Sequence, residues 1–221
     1  MSAADAFAEA LPVALGMIAA TAPLVTVPLI LVLRPDRRPH HAFLAGWVAG
    51  LAAVGTLGIM LSDLSSPDDS PPARWVVGLR LCLGVALTLL GARKWQRRNV
   101  AAKPPGWLTS LDSAPARTTF GLGAALAAVN PKNAALAAAG ALTVAAATPL
   151  PAAQAAAYAG FIAVASLGLL TPLLMTWLLR ERAAAPLAAI RDWMTRHSAT
   201  IVALVLLALG LLVTWKAIGA L

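Results

Sequence analysis

Apolar residues run through this chain in long blocks separated by short polar connections. Six blocks stand out, over about 8–33, 42–62, 75–94, 118–147, 153–179 and 198–218. Each is close to or beyond the ~20 residues a helix needs to cross a hydrocarbon core of about 30 Å, and the longer ones predict tilting or kinking. The first is not a typical cleavable signal peptide, because its N-terminal flank carries Asp5 and Glu9 and no Lys or Arg.

The polar connections fix an expected orientation. Arg34, Arg37 and Arg38 lie between blocks one and two. Arg93, Lys94, Arg97, Arg98, Lys103 and Arg117 lie between three and four, and Arg180, Arg182, Arg191 and Arg196 between five and six. Of the 17 Lys and Arg residues, only Arg74, Arg80, Lys132 and Lys216 lie elsewhere. The opposite side has Asp63, Asp68 and Asp69. Basic loops stay in the cytoplasm, so this pattern predicts a multi-pass protein of the cytoplasmic (inner) membrane with both termini outside the cytoplasm. Trp75, Trp95, Trp177 and Trp215 fall at block ends, where an aromatic belt belongs, and Trp47 is the exception. Over 186–197, Leu187, Ile190, Trp193 and Met194 recur at helical spacing among Arg191, Asp192 and Arg196, which fits either a short interfacial helix or an ordinary charged loop.

Composition excludes a soluble domain. The chain is 60% hydrophobic and 12% charged, with mean hydropathy +0.79. Alanine and glycine fill the blocks, and small residues let helix backbones approach closely in lipid. Cys82 is the one cysteine, so no intramolecular disulfide is possible. The net charge of +8 follows from the loop distribution and does not point to nucleic acid.

The candidate chemistry lies at Val129-Asn130-Pro131-Lys132-Asn133, inside the fourth block. Proline there removes a backbone donor and crowds the preceding turn, predicting a kink or break. Asn130 and Asn133 are placed to satisfy the backbone groups that a break frees. Lys132 lies about 22 Å from Arg117 along the axis at 1.5 Å per residue, near mid-membrane or slightly beyond. A charge at that depth is a functional-site hypothesis, set against the plainer reading that the amine merely satisfies freed carbonyls. No Asp or Glu lies deep in any block. That disfavours a carrier of organic cations or metals, or a carboxylate proton relay, and favours an anionic group on Lys132. Helix N-termini near Pro23 and Pro131 would add positive dipole. Thr21, Thr26, Ser166 and Thr171 are further polar groups near the middle, each able to bond back to its own helix. Pro28 and Pro172 predict further breaks. Arg80, about 8 Å past Trp75 by helix rise, is expected to snorkel outward or meet Asp63. Gln154 and Tyr158 would line an exit or lie at the interface. No metal-ligand cluster, phosphate-binding glycine loop or nucleophile with a base is evident, so no enzyme activity, metal or cofactor is expected.

A weak internal repeat relates residues 1–95 to residues 118–221 across a basic linker, 96–117, whose Pro104-Pro105-Gly106 argues against continuous helix. Thr21-Ala22-Pro23 matches Val129-Asn130-Pro131, Gly46-Trp47 matches Gly160-Phe161, and Leu83-Gly84 matches Leu209-Gly210. Three spans per half make the second half upside down. The expected fold is an all-α integral membrane protein with six transmembrane helices in a 3+3 inverted repeat, helices one and four being broken by proline. Many secondary transporters that work by alternating access are built this way.

Ala10-Leu11-Pro12-Val13-Ala14-Leu15-Gly16, Ala22-Pro23-Leu24, Gly46-Trp47-Val48-Ala49-Gly50 and Asn130-Pro131-Lys132-Asn133 together resemble the sulfolipid- and glycopeptidolipid-addressing proteins of actinobacteria. That family lies within the lysine-exporter superfamily of six-span exporters. The resemblance covers nearly the whole chain, with Asn-Pro-Lys its most specific part. It implies export of large cell-envelope lipids and often a homodimer. It places Pro23, Gly46, Trp47, Asn130, Pro131, Lys132 and Asn133 at motif positions. The expected function is movement of an anionic amphiphile, a glycolipid or lipid-linked intermediate, held by Lys132, Asn130, Asn133, Thr21 and Thr26 and hinged at Pro23 and Pro131. Membrane lipids and envelope-lipid synthesis or export proteins are the expected partners. The alternatives are efflux of amino-acid-like solutes and a non-transporting scaffold for lipid-export machinery.

Overall fold

The computed structural model describes residues 2–21, 26–32, 36–63, 74–98, 111, 113–179, 200, 202–215 and 217–219, and every regular element among them is helical. In chain order these are α1 (Ala3–Thr21), α2 (Thr26–Val32), α3 (Arg38–Asp63), α4 (Arg74–Gln96), α5 (Ala116–Ala128), α6 (Pro131–Ala147), α7 (Pro151–Leu179) and α8 (Val202–Trp215). α3, α4 and α7 follow apolar blocks two, three and five. α1 with α2 covers block one, α5 with α6 covers block four, and α8 lies in block six. Four helices, α1, α3, α4 and α7, are long and apolar enough to cross a membrane. Large apolar side chains such as Leu57, Leu61, Leu204 and Leu211 face outward, as suits a bundle solvated by lipid. Trp75, Trp95 and Trp215 are exposed at helix ends, while Trp47 is fully buried.

The helices meet through small residues. α1 and α7 run parallel, with Phe7 against Gly160 near both starts and Ile18 and Thr21 against Gly168 further along. α3 and α5 also run parallel and sit closer still, Gly46 lying on the Phe120 backbone and Gly123 on that of Phe43 and Trp47. α6 packs across both α1 and α3. Lipid tails are as apolar as leucine, so association comes from close backbone approach and complementary packing rather than from water exclusion. Trp47, Phe43, Phe161, Met17 and Leu136 fill the centre.

α4 and α8 cross antiparallel through a reciprocal contact. A Cβ on Gly84 would strike the Thr214 hydroxyl and come within 3.0 Å of the Gly210 carbonyl. One on Gly210 would strike the Thr88 hydroxyl and come within 2.8 Å of the Gly84 carbonyl. Each threonine turns its hydroxyl back onto the matching glycine carbonyl, at 2.9 Å for Thr88 and 2.7 Å for Thr214. Gly84→Val should therefore force α4 from α8 at a cost of about 1–3 kcal/mol, the usual range for overpacking. Gly78→Ala, on the same helix with nothing within 4 Å, should not. Thermal unfolding of the two variants in detergent distinguishes them.

Pro28 and Pro172 do not break their helices, contrary to expectation: α2 and α7 run through them. Pro28 is in the first turn of α2, where its missing N–H would have no helical partner anyway. α7 continues through Pro172, whose missing N–H would have reached the Gly168 carbonyl; the nearby Thr171 hydroxyl bonds instead to the Leu167 carbonyl at 2.9 Å. Pro23, the segment 186–197 and most of the linker lie outside the described residues.

Candidate functional site

Proline dictates the geometry of the break between α5 and α6. A residue that precedes proline is pushed out of the helical region, and Asn130 accordingly adopts φ −66° and ψ 117°. α5 closes with the Val129 N–H on the Ala125 carbonyl at 2.8 Å. α6 opens with Pro131 at its first position, where a missing N–H costs nothing. The Asn130 carbonyl accepts the N–H groups of Asn133 at 3.0 Å and Ala134 at 2.9 Å.

The two asparagines have different tasks. Asn133 is fully buried and donates its side-chain amide to the Leu126 carbonyl at 2.8 Å. That carbonyl is in the last turn of α5, where no helical N–H reaches. Asn133 thus staples the helix end that the break exposes, as the sequence suggested. Its Oδ1 has no partner among the described residues. Asn130 makes no side-chain capping bond and is only half-buried, so it keeps its amide available. Asn133→Leu should leave the Leu126 carbonyl orphaned and lower stability by about 1–2 kcal/mol, read as a shift in thermal unfolding. Asn130→Ala should not.

Lys132 ties the break to the other interrupted segment. Its amine donates to the carbonyl of Ala20, in the last turn of α1. The C-terminal turn of a helix has unsatisfied carbonyls and a partial negative charge, so a cation is welcome there. The same amine lies at the opening turn of α6, the positive end of that helix. Lys94, near the end of α4, is close enough for its charge to act on Lys132. Lys132 is half-buried. The plainer reading had this amine on a carbonyl freed by the Pro131 break; its partner is instead the Ala20 carbonyl of α1.

The other predicted positions separate. Thr21, next to Ala20 in the chain, is fully buried and bonds back to the Ile18 carbonyl at 2.9 Å. Thr26 opens α2, and its side chain lies outside the described residues, as does Pro23. Pro131 is exposed at the start of α6. Gly46 is a contact residue, since a Cβ there would overlap the Phe120 carbonyl, and Trp47 beside it is sealed in the core. Ser166 and Thr171 bond back to their own helix at 2.7 and 2.9 Å.

Two openings lie away from Lys132. A groove of about 370 Å³ runs between α3 and α7, with apolar walls that include Ala52, Ile59, Met60 and Ile162 and with Gln154 and Tyr158 at one side. The Tyr158 hydroxyl lies 3.2 Å from the carbonyls of Leu51 and of Ala137, so one side chain joins α3, α6 and α7. A smaller cavity is walled by α1, α4, α6 and α8 and includes Arg80. Lys132 lines neither.

The model of the family described as Sap, sulfolipid-1-addressing protein, matches residues 13–219. No curated protein and no solved structure matches the chain.

Proposed function

The chain belongs to the sulfolipid-1-addressing protein family, and from that premise we propose that it carries an anionic amphiphile, a cell-envelope glycolipid or lipid-linked intermediate, across the cytoplasmic membrane. Lys132 receives the anionic headgroup. The observation that carries this reading is the position of its amine, at the negative end of α1 and the positive end of α6 and held by one backbone carbonyl. A phosphate, sulfate or carboxylate offers the amine a stronger, charge-assisted bond than a neutral carbonyl does. Asn130, whose side chain does not cap α6, is at hand to orient the headgroup.

The groove between α3 and α7 supports a lipid over an amino-acid-like solute. It is open to the side, its walls are mainly apolar, and exposed Met60 lies on it, which suits an acyl chain better than a zwitterion.

The architecture in this reading is six spans in a 3+3 inverted repeat. Parallel pairing of α1 with α7 and of α3 with α5 supports it, as does the crossing of α4 and α8 at matched glycines. An inverted repeat would generate all three relations. Both termini then lie outside. Lys132, close enough to Lys94 near the end of α4 to feel its charge, then lies nearer the cytoplasmic face than the mid-membrane depth expected from helix rise. Release beyond the membrane falls to envelope-lipid synthesis or export proteins, and a homodimer fits the same scheme.

The test is reconstitution of the full chain in liposomes with fluorescent anionic or zwitterionic lipid in one leaflet. Faster movement of the anionic lipid than in empty liposomes is the expected result. No movement of any lipid offered would favour a scaffold role.

A further inference from the structure

Arg80 does not behave as an arginine near a span end usually does. It is on the second turn of α4, yet its guanidinium turns inward and donates to the Leu142 carbonyl of α6 at 3.0 Å. Its Nε is buried and has no partner, and among the described residues no carboxylate pairs with it. A guanidinium has five N–H donors in a rigid fork, so most of its capacity is unspent. A half-buried guanidinium with donors to spare inside a membrane bundle marks a site.

The space beside it has the right character. The cavity next to Arg80 has a volume of about 60 Å³ and is lined by Val13, Leu83, Ala139, Leu142 and Leu212, among others. One water-sized group needs roughly 10–15 Å³ on the same measure, so several oxygen atoms fit. The Glu9 carboxylate also lines it. The walls come from the start of α1, the start of α4 and the far ends of α6 and α8. The cavity therefore lies at the opposite end of the bundle from Lys94. Leu142 is ten residues beyond Lys132 on α6, about 15 Å at 1.5 Å per residue.

We propose that this cavity is a second anion site, in which Arg80 binds the headgroup of an anionic lipid in the half of the membrane away from Lys132. The assignment rests on the transport reading above and adds the station that receives cargo after the break. A planar fork suits a tetrahedral or trigonal oxyanion, which it can grip with two parallel bonds, and the apolar wall suits the adjoining chain. Lys132 at the start of α6 and Arg80 of α4, bonded to α6 ten residues further on, give a headgroup successive holds, and passage needs binding at more than one place, none so tight as to trap the cargo.

The experiment places a photoreactive phenylalanine analogue at Leu212 of the full chain in liposomes and labels it with fluorescent phosphatidylglycerol or chain-matched phosphatidylcholine. Phosphatidylglycerol should label at least about fivefold more strongly. Arg80→Gln should bring the two lipids level, and Arg80→Lys should keep part of the preference. If Arg80→Gln does not fold, Leu83→Trp, which fills the cavity and keeps the charge, must abolish labelling instead. Equal labelling by both lipids in the unaltered protein, or a preference that survives Arg80→Gln, overturns the assignment. Displacement by millimolar inorganic phosphate as readily as by anionic lipid also overturns it, because the site would then take the free ion. Lipid movement that needs Lys132 without any preference at Leu212 defeats the second site alone. A preference that needs Arg80 while movement ignores Lys132 defeats the transport reading alone.

Discussion

Lys132→Ala should slow movement of anionic lipid in reconstituted liposomes by about tenfold to a hundredfold. A hydrogen bond to a charged group is worth about 1.5–3 kcal/mol, and each 1.4 kcal/mol is a factor of ten. Alanine also deletes the bond to the Ala20 carbonyl, so a slower protein could simply be a looser one. Lys132→Gln separates the two effects, because a glutamine amide can still donate to that carbonyl but carries no charge. The variant should keep the thermal stability of the parent and lose movement of anionic lipid as fully as alanine does. If Lys132→Gln moves lipid at the parental rate, the amine is a structural tie and the headgroup is held elsewhere.

The largest effect on folding should come from Gly123→Ala. A Cβ at this position would overlap the Phe43 carbonyl, and the next atoms it meets are the Trp47 amide nitrogen at 2.8 Å and the Phe43 carbonyl carbon at 3.1 Å. These are backbone atoms, and they can yield only if α3 and α5 separate along their whole contact, which includes Gly46 and Gly50. The loss should reach about 3 kcal/mol or more, the upper end of overpacking costs. Gly121→Ala is the control. It lies two residues away on α5 with nothing within 4 Å, and it should gain up to about 1 kcal/mol from helix propensity. Opposite shifts in thermal unfolding are the expected pair of results. Equal shifts would mean that the α3–α5 interface is not limiting for stability.

The sequence placed the helices well, because a lipid-spanning backbone must satisfy its own hydrogen bonds and so leaves long apolar runs. The break at Asn130 was legible for a local reason: Pro131 acts on the residue before it, whatever packs around it. Asn133 as a staple followed from the same logic. Partnerships between helices were not legible. Alanine-rich faces look alike in one dimension, and nothing in the spacing of Gly46 or Gly123 names the helix each will touch. Arg80 misled for a related reason. Its depth permits snorkelling, and only the cavity beside Leu142 makes the inward direction available. Pro28 and Pro172 show the limit of reading proline alone, since a first-turn position removes its cost and a long helix can continue through it.

Parallel docking of α1 on α7 bears on how the protein is made. The ribosome releases α1 first, and the helix on which it lays Phe7, Ile18 and Thr21 is synthesised more than a hundred residues later. A helix inserted in a bilayer is stable by itself, so it can wait there. During that wait the carbonyl of Ala20 has no amine to meet, because Lys132 has yet to be translated. Assembly is therefore a late, post-insertional event, and a nascent chain that stops short of α7 leaves its own beginning without a main neighbour.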